Sequence, residues 1–265
     1  MSSPRPVVLV TGASGGIGAD LARIFARHGH DLVLVARSKG QLEALADEIE
    51  SIGRSRPLVV PCDLTAVGAV EMLAARLDAA GVVLEILVNN AGYGLLGEVA
   101  DLDPAAQMGI IDLNIRALVA LCLRFLPDLR ARRGKILNVA SVVAFFPGPG
   151  MAIYYASKAF TLAFGQALGQ ELRRVGVGVT TLCPGVTRTG FQARAGFTAD
   201  VGIMRFGAAT SASVAASGYA GLMANRRIVI PGFGNKLLCH IAPLIPRAIL
   251  LPLIASVQKR KAGKT

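Results

Sequence analysis

A chain of 265 residues, 53% of them apolar and none of them Trp, is one large domain or two small ones, able to bury a core without disulfides or a structural metal. Disorder, collagen and small disulfide scaffolds are excluded. The formal net charge of +11 invites a nucleic-acid reading, yet residues 1–200 hold 19 basic and 17 acidic side chains while residues 201–265 hold 9 basic and none acidic, so the excess belongs to the C-terminal quarter and no nucleic-acid partner is expected.

In chain order, residues 7–10 predict the first strand. The segment before it has neither the length nor the cleavage pattern of a signal peptide, so a cytoplasmic protein is expected. A helix over 16–28 follows, then a strand over 31–36, a helix over 38–52 with Leu42, Leu45, Ile49 and Ile52 at helical spacing, a strand over 58–61, a helix over 65–80 and a strand over 84–88. Further strands are predicted over 135–139, 178–183 and 227–230, with a helix from Tyr154 to about Val175 between the first two. The strands are continuously apolar, as strands buried on both faces must be. Strands alternating with helices predict an α/β fold, a single Rossmann-type doubly wound domain of about seven parallel strands with helices on both faces. That domain is expected over residues 1–232, with an apolar, basic extension over 233–265. Cys62, Cys122, Cys183 and Cys239 have no metal-ligand spacing and read as reduced, buried side chains; no metal site is expected.

Between the first strand and helix lies Thr11-Gly12-Ala13-Ser14-Gly15-Gly16-Ile17-Gly18. Glycines there let the backbone turn, let a pyrophosphate approach without a Cβ in the way, and leave N–H groups at a positive helix terminus. An NAD site places an acid at the end of strand two; this strand ends Val35-Ala36-Arg37. A guanidinium there matches a 2′-phosphate, so NADP (NADPH) is the expected cofactor and NAD the less favoured one.

Tyr154 and Lys158 stand four apart, on one helix face about 5.4 Å apart along the axis. An ammonium so placed is expected to favour the phenolate and bring its pKa down toward the working range of an acid or base. Tyr155, about 100° around the helix, is expected to face elsewhere.

With these residues in hand the chain resembles the short-chain dehydrogenase/reductase family. The likeness runs from Val7 to about Gly232 and rests on the ordered set Thr11-Gly-x-x-x-Gly16-x-Gly18, Asp63, Asn89-Asn90-Ala91-Gly92, Asn114, Ser141, Tyr154-x-x-x-Lys158 and Pro184-Gly185. The resemblance implies a strand order 3-2-1-4-5-6-7. It also implies that Tyr154 transfers a proton to or from the substrate oxygen, Ser141 hydrogen-bonds that oxygen, Lys158 tunes the tyrosine and holds the nicotinamide ribose, and Asn114 supports a water relay. Gly12, Ser14, Gly16, Ile17, Gly18 and Arg37 would then bind cofactor, with Asp63 at the adenine, Asn90 near the ribose, and Thr187 and Thr189 near the carboxamide. A dimer or tetramer of the chain is expected.

The segments expected to flank the site are apolar: Tyr93, Leu95 and Leu96, residues 142–146, and Phe191, Phe197, Met204 and Phe206. Arg188, Gln192 and Arg194 are the polar exceptions, and Val142 and Val143 read as core. Such a lining suits a lipophilic carbonyl, an acyl, steroid-like or aromatic ketone, converted to or from a secondary alcohol. Gly190, Gly196, Gly202 and Gly207 allow the loop beyond Thr189 to act as a lid. The alternative is a nucleotide-responsive membrane-surface or partner-binding protein with vestigial catalysis. In the extension, Pro243, Pro246, Arg247 and Pro252 leave uncharged runs of ten and eleven residues, too short to span a bilayer. Packing on a subunit or over the pocket is favoured there, ahead of peripheral membrane contact.

Overall fold

The structure is a computed structural model that describes residues 4–196 and 208–261, with side chains to Gln258. Phe197, Met204, Phe206, Gly202 and Gly207 lie outside the described residues. One parallel sheet of seven strands runs through the middle in the order β3-β2-β1-β4-β5-β6-β9, where β1 is Arg5–Thr11, β2 Asp31–Ala36, β3 Leu58–Pro61, β4 Val82–Asn89, β5 Lys135–Val139, β6 Gly178–Leu182 and β9 Ile228–Val229. A separate two-stranded ribbon pairs β7 (Thr187–Arg188) with β8 (Ala209–Thr210). The expected strand order is therefore the observed one. The strand expected over 227–230 is shorter, because only Ile228 and Val229 pair with β6.

Alternation along β1 shows why the strands read as unbroken apolar runs. Val7 and Leu9 pack with α3 (Ala69–Ala79) and α5 (Leu118–Arg132) on one face, while Val8 and Val10 pack with α1 (Gly16–Arg27), α2 (Lys39–Ser51) and α8 (Ser211–Met223) on the other. The expected helix over 65–80 begins later, at Ala69, because Asp63 and Thr65 form a local turn instead, the Asp63 carboxylate accepting from the Thr65 N–H at 3.0 Å and its hydroxyl at 2.7 Å. The connection runs β1 outward through β2 to β3, then returns to β4 on the other side of β1. Loops at the C-terminal ends of β1 and β4 diverge there, which opens a crevice at the point of reversal.

α4 (Pro104–Ile111) and α5 are joined by a widened, π-helical turn over Asp112–Ala117. α6 (Ala152–Leu172) carries the Tyr154 and Lys158 pair and continues in a tighter turn to Val175. α7 is the short Phe191–Arg194. Beyond β9, α9 (Phe233–Ile241) and α10 (Arg247–Lys261) form the C-terminal segment. All four cysteines are buried and free.

Candidate active site at the strand ends

A cavity of about 670 Å³ lies along the C-terminal ends of the strands. Gly12, Ser14, Gly16 and Ile17 border it at the β1–α1 loop, Arg37 and Asp63 at the ends of β2 and β3, and Asn90 beyond β4. Ser141, Tyr154 and Lys158 border it beyond β5 and along α6, and Thr187 and Thr189 close the side after β6. Gly18 and Asn114 stand behind this wall.

The glycine loop is held rather than loose. The Thr11 hydroxyl donates to the Val88 carbonyl at 3.1 Å and accepts the N–H groups of Asn90 and Ala91 at 2.9 and 3.0 Å. The Asn90 amide donates to the Thr11 and Gly12 carbonyls at 2.9 and 3.3 Å, so this side chain ties the loop to β4. A Cβ on Gly18 would stand 2.3 Å from the Gly12 carbonyl oxygen, which only a glycine permits. Helix α1 therefore starts against the loop with no side-chain cap and no acid in its first turn, and a Cβ on Gly15 would meet nothing within 4 Å. Arg37 is exposed at the rim and, among the described residues, makes no hydrogen bond or ion pair.

Asn114, buried, sits on the widened turn before α5; its Oδ1 accepts the Tyr93 N–H at 3.1 Å, and its Nδ2 donates to the Tyr93 carbonyl at 3.0 Å and to Ser157 Oγ at 2.9 Å. Ser157 Oγ donates in turn to the Tyr154 carbonyl at 2.7 Å. Such π-helical turns occur often at functional sites. Lys158 is buried and donates from Nζ to the Val139 carbonyl at 2.9 Å, its ammonium 5.9 Å from the centre of the Tyr154 ring. A Cβ on Gly92 would come within 2.9 Å of Asn114 Oδ1 and 3.3 Å of Lys158 Nζ, so that position must be bare.

Electrostatics depart from the expectation for Tyr154. Burial raises its pKa above the ordinary phenol value, opposed only partly by the hydrogen bond with Ser141, while burial lowers Lys158 to about 8. Desolvation of the phenolate is the largest cause, and the neighbouring Tyr155 adds to it, while the Lys158 ammonium is turned to the Val139 carbonyl. The site so arranged holds a protonated phenol near Ser141, whose hydroxyl donates to the Pro184 carbonyl and accepts the Val143 N–H, each at 3.3 Å.

Three features escaped the sequence. Tyr155 does turn away from Tyr154, with ring centres 6.2 Å apart, yet it also borders the cavity. Val142 and Val143 border it too, rather than serving as core alone. Gln258 of α10 arrives from more than a hundred positions along the chain: its Nε2 donates to Tyr155 Oη at 2.8 Å, and its Oε1 is buried without a hydrogen-bond partner. No local pattern marks such a residue. Tyr155→Phe alone should cost about 1–3 kcal/mol of stability by orphaning that amide, and the double variant Tyr155→Phe with Gln258→Leu should recover part of the loss. Chemical denaturation of the four proteins measures the coupling, and additive effects would mean that α10 does not seat against Tyr155.

The family model for short chain dehydrogenases matches residues 6–198. A protein of Mycobacterium tuberculosis named "Probable oxidoreductase EphD" is 39% identical over 195 residues, 72% of this chain but 32% of that longer protein. Among solved structures, a short-chain dehydrogenase from Sphingobium yanoikuyae in complex with NADPH is 36% identical with a TM-score of 0.78, over 86% of this chain and 88% of that one. A bulky-bulky ketone specific alcohol dehydrogenase from Comamonas testosteroni is 29% identical with a TM-score of 0.75, over 93% and 99%. The chain spans about a third of the length of the first of these relatives, and it belongs to the short chain dehydrogenase family.

Proposed function

We propose that this chain is an oxidoreductase that uses NADP(H) to interconvert a carbonyl and a secondary alcohol on a lipophilic small molecule. The observation that carries the cofactor choice is Arg37, exposed at the end of β2 on the cavity rim, within electrostatic reach of Asp63 but in no hydrogen bond or ion pair among the described residues, and with no acid at that strand end. The residues present fit the dinucleotide. The uncapped start of α1 and the open space at Gly15 would take the pyrophosphate, Arg37 the 2′-phosphate, Asp63 the adenine, and Lys158 the ribose near the nicotinamide. The NADPH bound to the relative from Sphingobium yanoikuyae supports this reading. When bound, the nicotinamide supplies or accepts the hydride.

Within the chain, Tyr154 gives its proton to the developing alkoxide, and Ser141 donates a hydrogen bond to the same oxygen. Lys158 keeps positive charge beside them. Asn114 holds Ser157 and the start of α6 in register and supports proton exchange with bulk water. Thr187 and Thr189, on the cavity wall after β6, would meet the carboxamide of the bound nicotinamide.

An apolar substrate is supported by Leu95, Val143, Met151 and Phe191 on the wall and by the disposal of the polar exceptions. Gln192 donates to the Thr187 carbonyl at 2.7 Å and Arg194 to the Gly190 carbonyl at 3.2 Å, while Tyr93 donates its hydroxyl to the Ala106 carbonyl at 2.7 Å. The ketone specificity named for the Comamonas testosteroni relative agrees. Four buried thiols agree with a reducing, cytoplasmic setting. The unbroken set from Gly12 to Lys158 argues against vestigial catalysis.

A panel of lipophilic ketones and aldehydes followed by NADPH absorbance tests the reading. Arg37→Ser should raise KM for NADPH about 10- to 100-fold, the value of a charged hydrogen-bonded pair, and leave KM for NADH nearly unchanged. Equal efficiency of the unaltered enzyme with NADH would count against the 2′-phosphate site.

A further inference from the structure

We propose that the outer face of α9 and α10 docks on an anionic lipid surface. Each helix buries a few side chains against the body, Cys239 on α9 and Leu250 and Gln258 on α10. On its outer side α9 leaves Phe233 81% exposed, with Leu237 and Ile241 at i+4 and i+8, and Leu244 in the tight turn that follows is also 81% exposed. On α10, Ile249 at 62%, Leu253 at 56% and Val257 repeat the pattern at i, i+4 and i+8. Single exposed apolar residues are normal on a protein surface; two exposed apolar stripes, on helices joined by a tight turn over Ala242–Leu244, call for an occupant.

Charge selects that occupant. Lys236 and Arg247 flank the stripes, Lys259-Arg260-Lys261 ends α10, and no acidic residue follows Asp200 anywhere in the sequence. A second copy of this chain is a poor match, because a two-fold interface brings each patch onto itself and this basic segment supplies no carboxylate of its own to meet its cations. An anionic bilayer accepts the apolar stripes at the headgroup boundary and neutralises the cations, each basic side chain near the surface strengthening binding about fivefold. Spanning is not the mode: no helix among the described residues is long and apolar enough to cross a membrane. Docking would bring the helix that carries Gln258, and so one wall of the cavity, to the bilayer surface. The proposal does not depend on which carbonyl is reduced.

Co-sedimentation of the full chain with vesicles of phosphatidylcholine alone, and of phosphatidylcholine with phosphatidylglycerol, is the test. Binding is expected to the second and not the first, weakened by salt. The double variant Leu237→Gln with Leu253→Gln, both exposed and neither on the cavity wall, should bind at least about tenfold less, since two leucines no longer leave water. Equal binding to both vesicle types, no binding, or an undiminished variant overturns the proposal. Sedimentation velocity and thermal melting without lipid complete it. A variant that falls to a smaller oligomer with vesicle binding unchanged assigns the face to a second copy, and one that only melts earlier assigns it to another part of the chain.

Discussion

Tyr154→Phe is expected to lower kcat/KM for carbonyl reduction about a thousandfold or more, while Tyr155→Phe stays within a few-fold of the unaltered enzyme. A positioned general acid contributes about 10²–10⁴-fold. One donor at a developing oxyanion contributes about 10²–10³-fold, and Tyr154 is proposed to be both. Burial strengthens the case for reduction, because a phenol pushed above its ordinary pKa stays protonated at neutral pH and has a proton to give. Tyr155 lies one position along the same helix, shares the cavity and has its hydroxyl engaged by Gln258 at 2.8 Å. The pair is thus an internal control for burial and ring size. Steady-state rates by NADPH absorbance on a carbonyl from the panel decide it. Full turnover by Tyr154→Phe, or a larger loss from Tyr155→Phe, would remove Tyr154 from the reaction.

A second large effect should come from Lys158. Its amine is lowered to about 8 by burial, so the ammonium is present below that pH and lost above it. Reduction relies on positive charge beside Tyr154, so kcat/KM should fall with a one-proton slope above about pH 8, since kcat/KM reports the free enzyme. Lys158→Arg, whose guanidinium keeps its proton well above the amine's range, should move that limb to higher pH, and Lys158→Met should lower the rate about a hundredfold or more at all pH values. Stability runs the other way. The amine binds its proton more weakly folded, at about 8, than unfolded, at about 10.4, so between those values the unfolded state holds more protons and this group's contribution to stability rises with pH. Activity lost above pH 8 while the melting temperature holds therefore identifies titration at the site and not unfolding. An identical alkaline limb in Lys158→Arg would place the titrating group elsewhere.

How much of this could be read from the residues varied by element. Residues 31–36, 58–61 and 135–139 were legible as strands to the residue, because buried parallel strands are continuous β-branched runs bounded by turn residues. The start of α3 was not, because the Asp63 carboxylate and the Thr65 N–H and hydroxyl made a cheaper local turn. The widened turn at Asp112–Ala117 has no sequence pattern of its own; it exists because Asn114 must reach the backbone of Tyr93 and the hydroxyl of Ser157 at once.

The sequence by itself determined the family, the parallel sheet, the glycine loop and the helical spacing of Tyr154 and Lys158, since all of these are local patterns of a few residues. Only the tertiary structure decided that the phenol is raised and the amine lowered, because desolvation depends on what the whole fold packs around a group. It alone also decided that Gln258 closes the cavity while the apolar stripes of α9 and α10 face outward. An amphipathic pattern says that a helix has two faces; which one meets the protein is settled when distant segments come together.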